Sequence, residues 1–251
     1  MVMSYSENAP SVVVVGGGVA GLNAALYTAR AGFETTVVNA GESILRRNGH
    51  LENVPGFPGG VNPRTFLDLL EEQVADAGAA RVTGEVTILE ELDGQFVAET
   101  DDEVYEGEYA IAATKSNPDY LDAFDLALDQ QGSKTYVDVG DRGRTNVDGL
   151  YVAGRLAAEP HQTTIVAGHG AKVGLTVVED SEVPYYHDWV APEGYFTGRG
   201  REVPPGVEEI DEAERAARER DSMDRMREAF AERHPDEPTM HPSVAADDEG
   251  E

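Results

Sequence analysis

The chain has 251 residues, 40% of them apolar, enough for one sizeable α/β domain with an appendage or for two small domains. It carries 48 acidic against 19 basic residues, a net charge of −29, and such a surface excludes the basic footprint that nucleic-acid binding needs. It has no cysteine, which excludes disulfides, thiolate catalysis and cysteine-based metal sites within this sequence.

The acids are spread over the whole chain, and the only lysines are Lys115, Lys134 and Lys172. Two readings compete: a specific cationic partner or charged tail, and adaptation to molar salt. The even spread favours the second, because such charge repels itself in dilute buffer and is screened where the Debye length falls to about 3 Å, at 1 M salt. The segment Met1 to Pro10 is polar, without a signal-peptide core, and no apolar run is long enough to cross a bilayer. The expectation is a cytoplasmic protein with no membrane partner.

In chain order, Ser11 to Val15 is a continuous apolar run, as in a strand buried on both faces. Gly16 to Gly21 is a glycine-rich turn, Leu22 to Ala31 a small-residue helix ended by Gly32, and Glu34 to Asn39 a second strand. Together they form a βαβ unit of about thirty residues. Gly41 to Pro63 is loop-rich. Arg64 to Gly78 is an amphipathic helix with Phe66, Leu69, Leu70 and Val74 on one face. Arg81 to Glu90 is expected as a third strand. Gln95 to Glu99 and Glu103 to Tyr109 are expected as a small antiparallel pair, and Ala110 to Ala113 as another buried strand. A helix is predicted near Tyr120 to Leu128, a final apolar strand at Leu150 to Ala153, and a glycine-rich helix at Thr163 to Glu179. Beyond Asp180 the texture changes: Pro184 to Pro205 is irregular and aromatic, Val207 to Arg233 reads as a charged helix, and Pro235 to Glu251 as an acidic tail. The domain expectation is residues 1–180 as the nucleotide-binding domain and residues 181–251 as a C-terminal extension.

The strongest motif is Val12-Val13-Val14-Val15-Gly16-Gly17-Gly18-Val19-Ala20-Gly21. It contains G-x-G-x-x-G with a strand before it, a helix after it and a second strand on schedule. Gly16 permits the tight turn, Gly18 lets the backbone approach a pyrophosphate, and Gly21 lets the helix pack on the strand. The helix start offers free N–H groups and a positive dipole end to phosphates. The alternative is a tight turn in a nucleotide-free α/β protein. The second strand ends in Asn39 where an acid normally holds ribose hydroxyls; its amide bonds a hydroxyl more weakly, Glu42 is a substitute, and Asn39 as a plain strand cap is the alternative.

Three segments in this order resemble thioredoxin-reductase-like flavoproteins: Gly16 to Gly21, Glu52-Asn53-Val54-Pro55-Gly56-Phe57-Pro58, and Thr145-Asn146-Val147-Asp148-Gly149-Leu150-Tyr151-Val152-Ala153-Gly154. His161-Gln162-Thr163 falls where that family has Arg-Gln-Ala beside the flavin. The resemblance covers roughly residues 11–180. It implies a Rossmann-like FAD-binding domain with a parallel central sheet and a small antiparallel β-meander, followed here by a helical extension. It also implies FAD as cofactor. Gly16, Gly18, Val19 and Ala20 would line the pyrophosphate, Asn53 would lie near the isoalloxazine, and the Val86 backbone would meet the adenine. Gly154 and Arg155 would follow the pyrophosphate and ribityl chain. Gln162 and Thr163 would present N–H groups to the flavin N1/O2 edge, where reduced flavin is negative.

Three departures qualify the resemblance. The family's Cys-x-x-Cys is absent. The residues between Ala113 and Thr145 are too few for the family's inserted NADPH domain, and no second glycine fingerprint exists. The family's Asp after Ala-Gly is Arg155 and its Gly after Ala-Thr is Lys115; Arg155 suits a phosphate but cannot accept bonds from ribityl hydroxyls.

His161 is a substrate or flavin contact or simply part of a polar helix start. Gly168, Gly170 and Gly174 cost a helix up to about 1 kcal/mol each, which close packing would explain. The aromatic stretch Pro184 to Val190 is a strap on the core, a flavin cover or a dimer face. Ile210, Ala213, Ala217, Met226 and Phe230 form a packing or homodimer stripe. His234 and His241 fit no tight metal-ligand spacing. The expectation is an FAD-dependent oxidoreductase fed by an external electron donor, protein or small molecule, with no catalytic side chain identified. The alternative is a non-catalytic flavin or nucleotide sensor, or a subunit of a larger assembly.

Overall fold

The computed structural model describes residues 9–240; the expectations for Met1 to Asn8, for the tail beyond Met240 and for His241 lie outside the described residues. One compact unit runs to Val177, and Val178–Pro235 form a second.

The first unit opens with β1 (Ser11–Val15), α1 (Val19–Arg30) and β2 (Glu34–Asn39), then a 3-10 turn (Ile44–Arg47), α2 (Pro63–Asp76) and β3 (Ala80–Thr83). A meander follows, β4 (Ile88–Leu92), β5 (Gln95–Glu99) and β6 (Val104–Gly107), before β7 (Tyr109–Ala112). The hairpin β8 (Leu128–Gln131) and β9 (Lys134–Val137) leads to β10 (Leu150–Val152), a 3-10 turn (Gly154–Ala157) and α3 (Thr163–Asp180).

The central sheet has the order β10-β7-β1-β2-β3, and every pair in it is parallel, with Val12 opposite Thr35 and Tyr109 and Val14 opposite Val37 and Ile111. Parallel strands covered on both faces need continuous apolar side chains, and Val12 to Val15 are at most 3% exposed. The chain leaves β1 towards β2 on one side, while β7 flanks β1 on the other. This reversal opens a crevice at the carboxyl end of β1, the usual ligand position in such sheets.

Two expectations about elements of this unit change. The strand expected over Arg81 to Glu90 is two strands in different sheets: β3 pairs with β2, and β4 pairs antiparallel with β5. Gly84 ends the first, its N–H bonded to Asn39 O, and residues 84–87 cross between sheets. The helix near Tyr120 to Leu128 is only a 3-10 turn, Asp119–Leu121. Tyr120 and Leu121 bury at once, the Tyr120 hydroxyl meets Thr114 Oγ1 at 3.2 Å, and Phe124 packs on Phe96 at 6.0 Å, so tertiary burial ends the helix. Leu128 instead starts the β8–β9 hairpin.

α3 lies against α1. A Cβ on Gly170 would stand 2.1 Å from Ala20 O, and one on Gly174 would stand 2.5 Å from Ala24 O. Gly168, expected in the same contact series, has nothing within 4 Å; two of the three glycines make the contact.

In the second unit, β11 (Trp189–Pro192) pairs in parallel with β12 (Val207–Ile210), followed by α4 (Glu212–Ala229). The charged helix expected from Val207 therefore begins later, because Val207 to Ile210 pair with β11 and the Asp211 side chain caps α4 by accepting from Glu214 N at 2.7 Å. The aromatic segment forms its own cluster, with Trp189 and Tyr195 ring centroids 4.7 Å apart and the Arg199 guanidinium 4.6 Å from the Tyr195 ring. Glu209 holds the intervening turn. Its carboxylate accepts from the Thr197 hydroxyl and the N–H groups of Gly194, Phe196 and Thr197, which hold it down at about 2. No side chain of α4 is buried, and Met226 and Phe230 of the expected stripe are 40% and 46% exposed.

Candidate functional site

The crevice above β1 is a pocket of about 800 Å³, within the roughly 300–1,000 Å³ usual for small-molecule and cofactor sites. Ten of the twelve expected site residues line it: Gly16, Gly18, Val19, Ala20, Asn39, Asn53, Val86, Arg155, Gln162 and Thr163. Gly21 and Gly154 lie behind the wall and act through packing. A Cβ on Gly21 would stand 1.9 Å from Gly16 O, and one on Gly154 would stand 2.4 Å from the Ala20 Cβ.

The glycine turn suits an anion. Gly16 has φ +110° and no room for a Cβ beside Ala113 O at 2.7 Å, so only glycine makes this bend without strain. Gly18 differs: nothing but Ser43 Oγ, at 3.9 Å, approaches its Cβ position. Helix α1 starts at Gly18 with no side-chain cap and no acid in its first turn. Its first N–H groups and its positive dipole end therefore face the crevice unneutralised.

Asn39 has a role its sequence position did not reveal. Its Oδ1 accepts from Gly17 N–H at 3.0 Å and its Nδ2 donates to Gly41 O. It pins the glycine turn to the end of β2. Glu42 also lines the pocket. Further along, Val86 is buried, and its own N–H and C=O make no hydrogen bond among the described residues, which leaves them open on the pocket side. Ser43, Ile44 and Leu45 complete that side. Arg64 fastens this wall by donating to the Arg46 and Asn48 carbonyls at 2.7 and 3.1 Å.

At the other end, the loop bearing Asn53 is joined to the start of α3. Asn53 Nδ2 donates to Gln162 Oε1 at 2.7 Å, and Thr164 Oγ1 donates to Asn53 O at 3.3 Å. Gln162 N–H is taken up by Pro160 O at 2.7 Å, so of the two N–H groups expected at this helix start the one left open is that of Thr163. α3 has no acid in its first turn. Thr114, Lys115, Asn117 and Tyr120 line this end too; burial pushes the Tyr120 hydroxyl up. Of these, only Lys115 carried a sequence signal, as the residue standing where the resembling family has glycine.

His169 supports the floor from behind. Its Nδ1 accepts from Gly154 N–H at 2.9 Å and its Nε2 faces Glu159 at 3.8 Å. Accepting at Nδ1 requires the neutral ring. Burial, ahead of the raising effect of Glu159, the lowering effect of Lys172 and the raising effect of Asp141, holds its pKa below 6.5. A folded-state value below the unfolded one means the contribution is full above about pH 6.5 and is lost as pH falls through the folded value. His169→Gln should therefore flatten the stability-versus-pH curve below pH 6.5. A wild-type curve no steeper than the variant's in urea melts would contradict this.

Among the described residues, no group of three His, Asp or Glu side chains converges as a metal site, and no helix is long and apolar enough to cross a membrane.

Residues 11–51 match the family model described as FAD binding domain. The chain is 37% identical to thioredoxin reductase of Aquifex aeolicus over 86 residues, 34% of this chain and 27% of that one. It is 33% identical to the bifunctional thioredoxin reductase/thioredoxin of Mycobacterium leprae over 123 residues, 47% of this chain and 26% of that one. The chain thus spans about a quarter of the length of these relatives. In fold it is similar to T. acidophilum thioredoxin reductase, with TM-score 0.63 at 18% identity over 69% of this chain and 99% of that one. The Lactococcus lactis enzyme gives TM-score 0.62 at 13% identity over 68% and 98%. By sequence and fold, the chain is thioredoxin-reductase-like, with an FAD-binding-domain signature at its start.

Proposed function

We propose that this chain is an FAD-dependent oxidoreductase unit that holds FAD in the pocket above β1 and takes electrons from an external donor. The observation that carries the reading is the pairing of an uncapped, acid-free start of α1 with the open Gly18 position in a cavity of about 800 Å³. Gly16 to Ala20 would hold the pyrophosphate, Asn39 and Glu42 border the ribose, and Val86 would bond the adenine. Asn53 and Thr163 would hold the isoalloxazine end. FAD, when bound, supplies hydride and single-electron chemistry that no side chain here provides. The protein's part is to bind, to orient, and to set the positive end of α3 at the flavin edge that becomes negative on reduction. The chain contains no cysteine, so disulfide reduction is not among the reactions proposed for it alone. Protein refolded with FAD and gel-filtered should retain the flavin; colourless protein that takes up none would refute the reading.

The route of electron entry follows from room. A nicotinamide must stack on the isoalloxazine at about 3–3.5 Å in an aligned pose. Residues 114–144 hold a 3-10 turn and the β8–β9 hairpin, and the one glycine fingerprint is assigned to FAD. NADPH and NADH should therefore bleach the flavin slowly and without saturation, and a protein donor or small reductant quickly. Rapid, saturable bleaching by NADPH in stopped flow would contradict this. The missing dithiol and second fingerprint favour a second reading, a flavin-bound sensor or subunit; bound flavin that neither protein donors nor small reductants can cycle would select it.

A further inference from the structure

The pocket has a second charged feature that a flavin alone does not explain. Lys115 and Arg155 line it together with His161. Lys134 stands next to them: Thr135 N–H donates to Ser116 O at 3.4 Å, which sets the starts of both lysine-bearing segments side by side. None of these four side chains has an ion-pair partner among the described residues, in a chain with 48 acids and 19 Lys and Arg. Several cations elsewhere are paired, among them Arg46 with Asp68, Arg81 with Glu71, Arg218 with Glu208 and Lys172 with Asp141. Of the three lysines, Lys115 thus lines the cavity and Lys134 stands beside that end of it. Asp119 also lines this end without pairing to them, and the pocket's other acids, Glu42 and Glu85, belong to the β2 and β3 side.

Like charges gathered without counter-charge repel one another. His161 registers this: burial first, then Arg155 and Lys134, push its pKa below 6.5. Arg155 follows Gly154, whose Cβ position abuts Ala20, so it lies beside the first turn of α1, where the flavin reading would have it serve the pyrophosphate. Lys115, Lys134 and His161 remain without an anion. Resting on the flavin reading, we propose that these three form a subsite for a small carboxylate-bearing co-substrate, bound beside the flavin at the α3 end of the pocket. A bound carboxylate removes the repulsion and gives the lysines and imidazole charge-assisted hydrogen bonds.

The probe is oxalate, titrated by calorimetry at constant ionic strength into apo protein and into FAD-loaded protein, with the flavin absorption band followed in the second. The expected result is saturable binding that shifts the flavin band. Lys115→Gln and Lys134→Gln should each weaken it roughly five- to tenfold, while Lys172→Gln, at the lysine paired with Asp141, leaves it unchanged. Both lysines are exposed, and unchanged melting temperatures would show that the variants fold. Flavin retention with no saturable oxalate binding, or equal weakening by all three variants, overturns the subsite. Failure to load FAD with oxalate still bound to the apo protein would instead count against the flavin reading and leave the subsite standing.

Discussion

Gly18→Asp should abolish FAD binding while leaving the fold intact or slightly more stable. At Gly18 the backbone is extended, φ −82° and ψ −176°, which any residue adopts. The nearest atom to an added Cβ is Ser43 Oγ at 3.9 Å, so the protein accommodates the side chain. Aspartate is moreover a favoured N-cap residue, worth about 1 kcal/mol to a helix, and α1 has no side-chain cap. The ligand fares differently, because a carboxylate about 4 Å from a phosphate costs about 4 kcal/mol at an effective dielectric near 20. That is roughly a thousandfold in Kd. Fluorescence titration of FAD together with thermal melts checks both halves. Loss of FAD accompanied by a collapsed melting temperature would mean that the turn had broken, and undiminished FAD affinity would mean that the phosphates lie elsewhere.

Gly170→Ala and Gly168→Ala, two residues apart on one helix, should move stability in opposite directions. At Gly170 the new Cβ would stand 2.1 Å from the Ala20 carbonyl oxygen. That atom is backbone in the first turn of α1 and cannot swing aside, so the two helices must separate. Overpacking of this kind costs about 1–3 kcal/mol, and the upper end is expected because α1 also carries the anion-facing N–H groups. Flavin affinity should fall with it. At Gly168 nothing lies within 4 Å and the residue is exposed, so alanine should add up to about 1 kcal/mol through helix propensity alone. Urea melts of the two variants decide the matter; equal shifts would show that α3 does not pack on α1 at these glycines.

The same residues show how far the sequence could be read. The βαβ opening was legible because two local signals coincide, the apolar run Val12 to Val15 and the glycine spacing that follows, and both act within about thirty residues. The Asn53 segment and the start of α3 are 109 residues apart where Asn53 meets Gln162, and only the resemblance to a family placed them at one site. Where local pattern and burial disagreed, burial prevailed. Arg81 to Glu90 reads as one strand in the sequence, yet its halves on either side of Gly84 serve two sheets. Tyr120 to Leu128 has helical texture, yet Tyr120 and Leu121 are buried in the core and only a single 3-10 turn forms.

Composition, the absence of cysteine, the parallel-sheet opening and the anion-binding turn were therefore determined by the sequence itself, since each rests on residue chemistry or on contacts between near neighbours. Other features waited for the tertiary structure. They include the pinning of the glycine turn by Asn39, the neutral His169 beneath Gly154, the division of labour between Gly168 and Gly170, and the gathering of Lys115, Lys134 and His161. Each joins residues distant in the chain through packing and hydrogen bonds. A side chain's role at such a place depends on which atoms the fold brings within about 4 Å of it, and no periodicity along the chain records that.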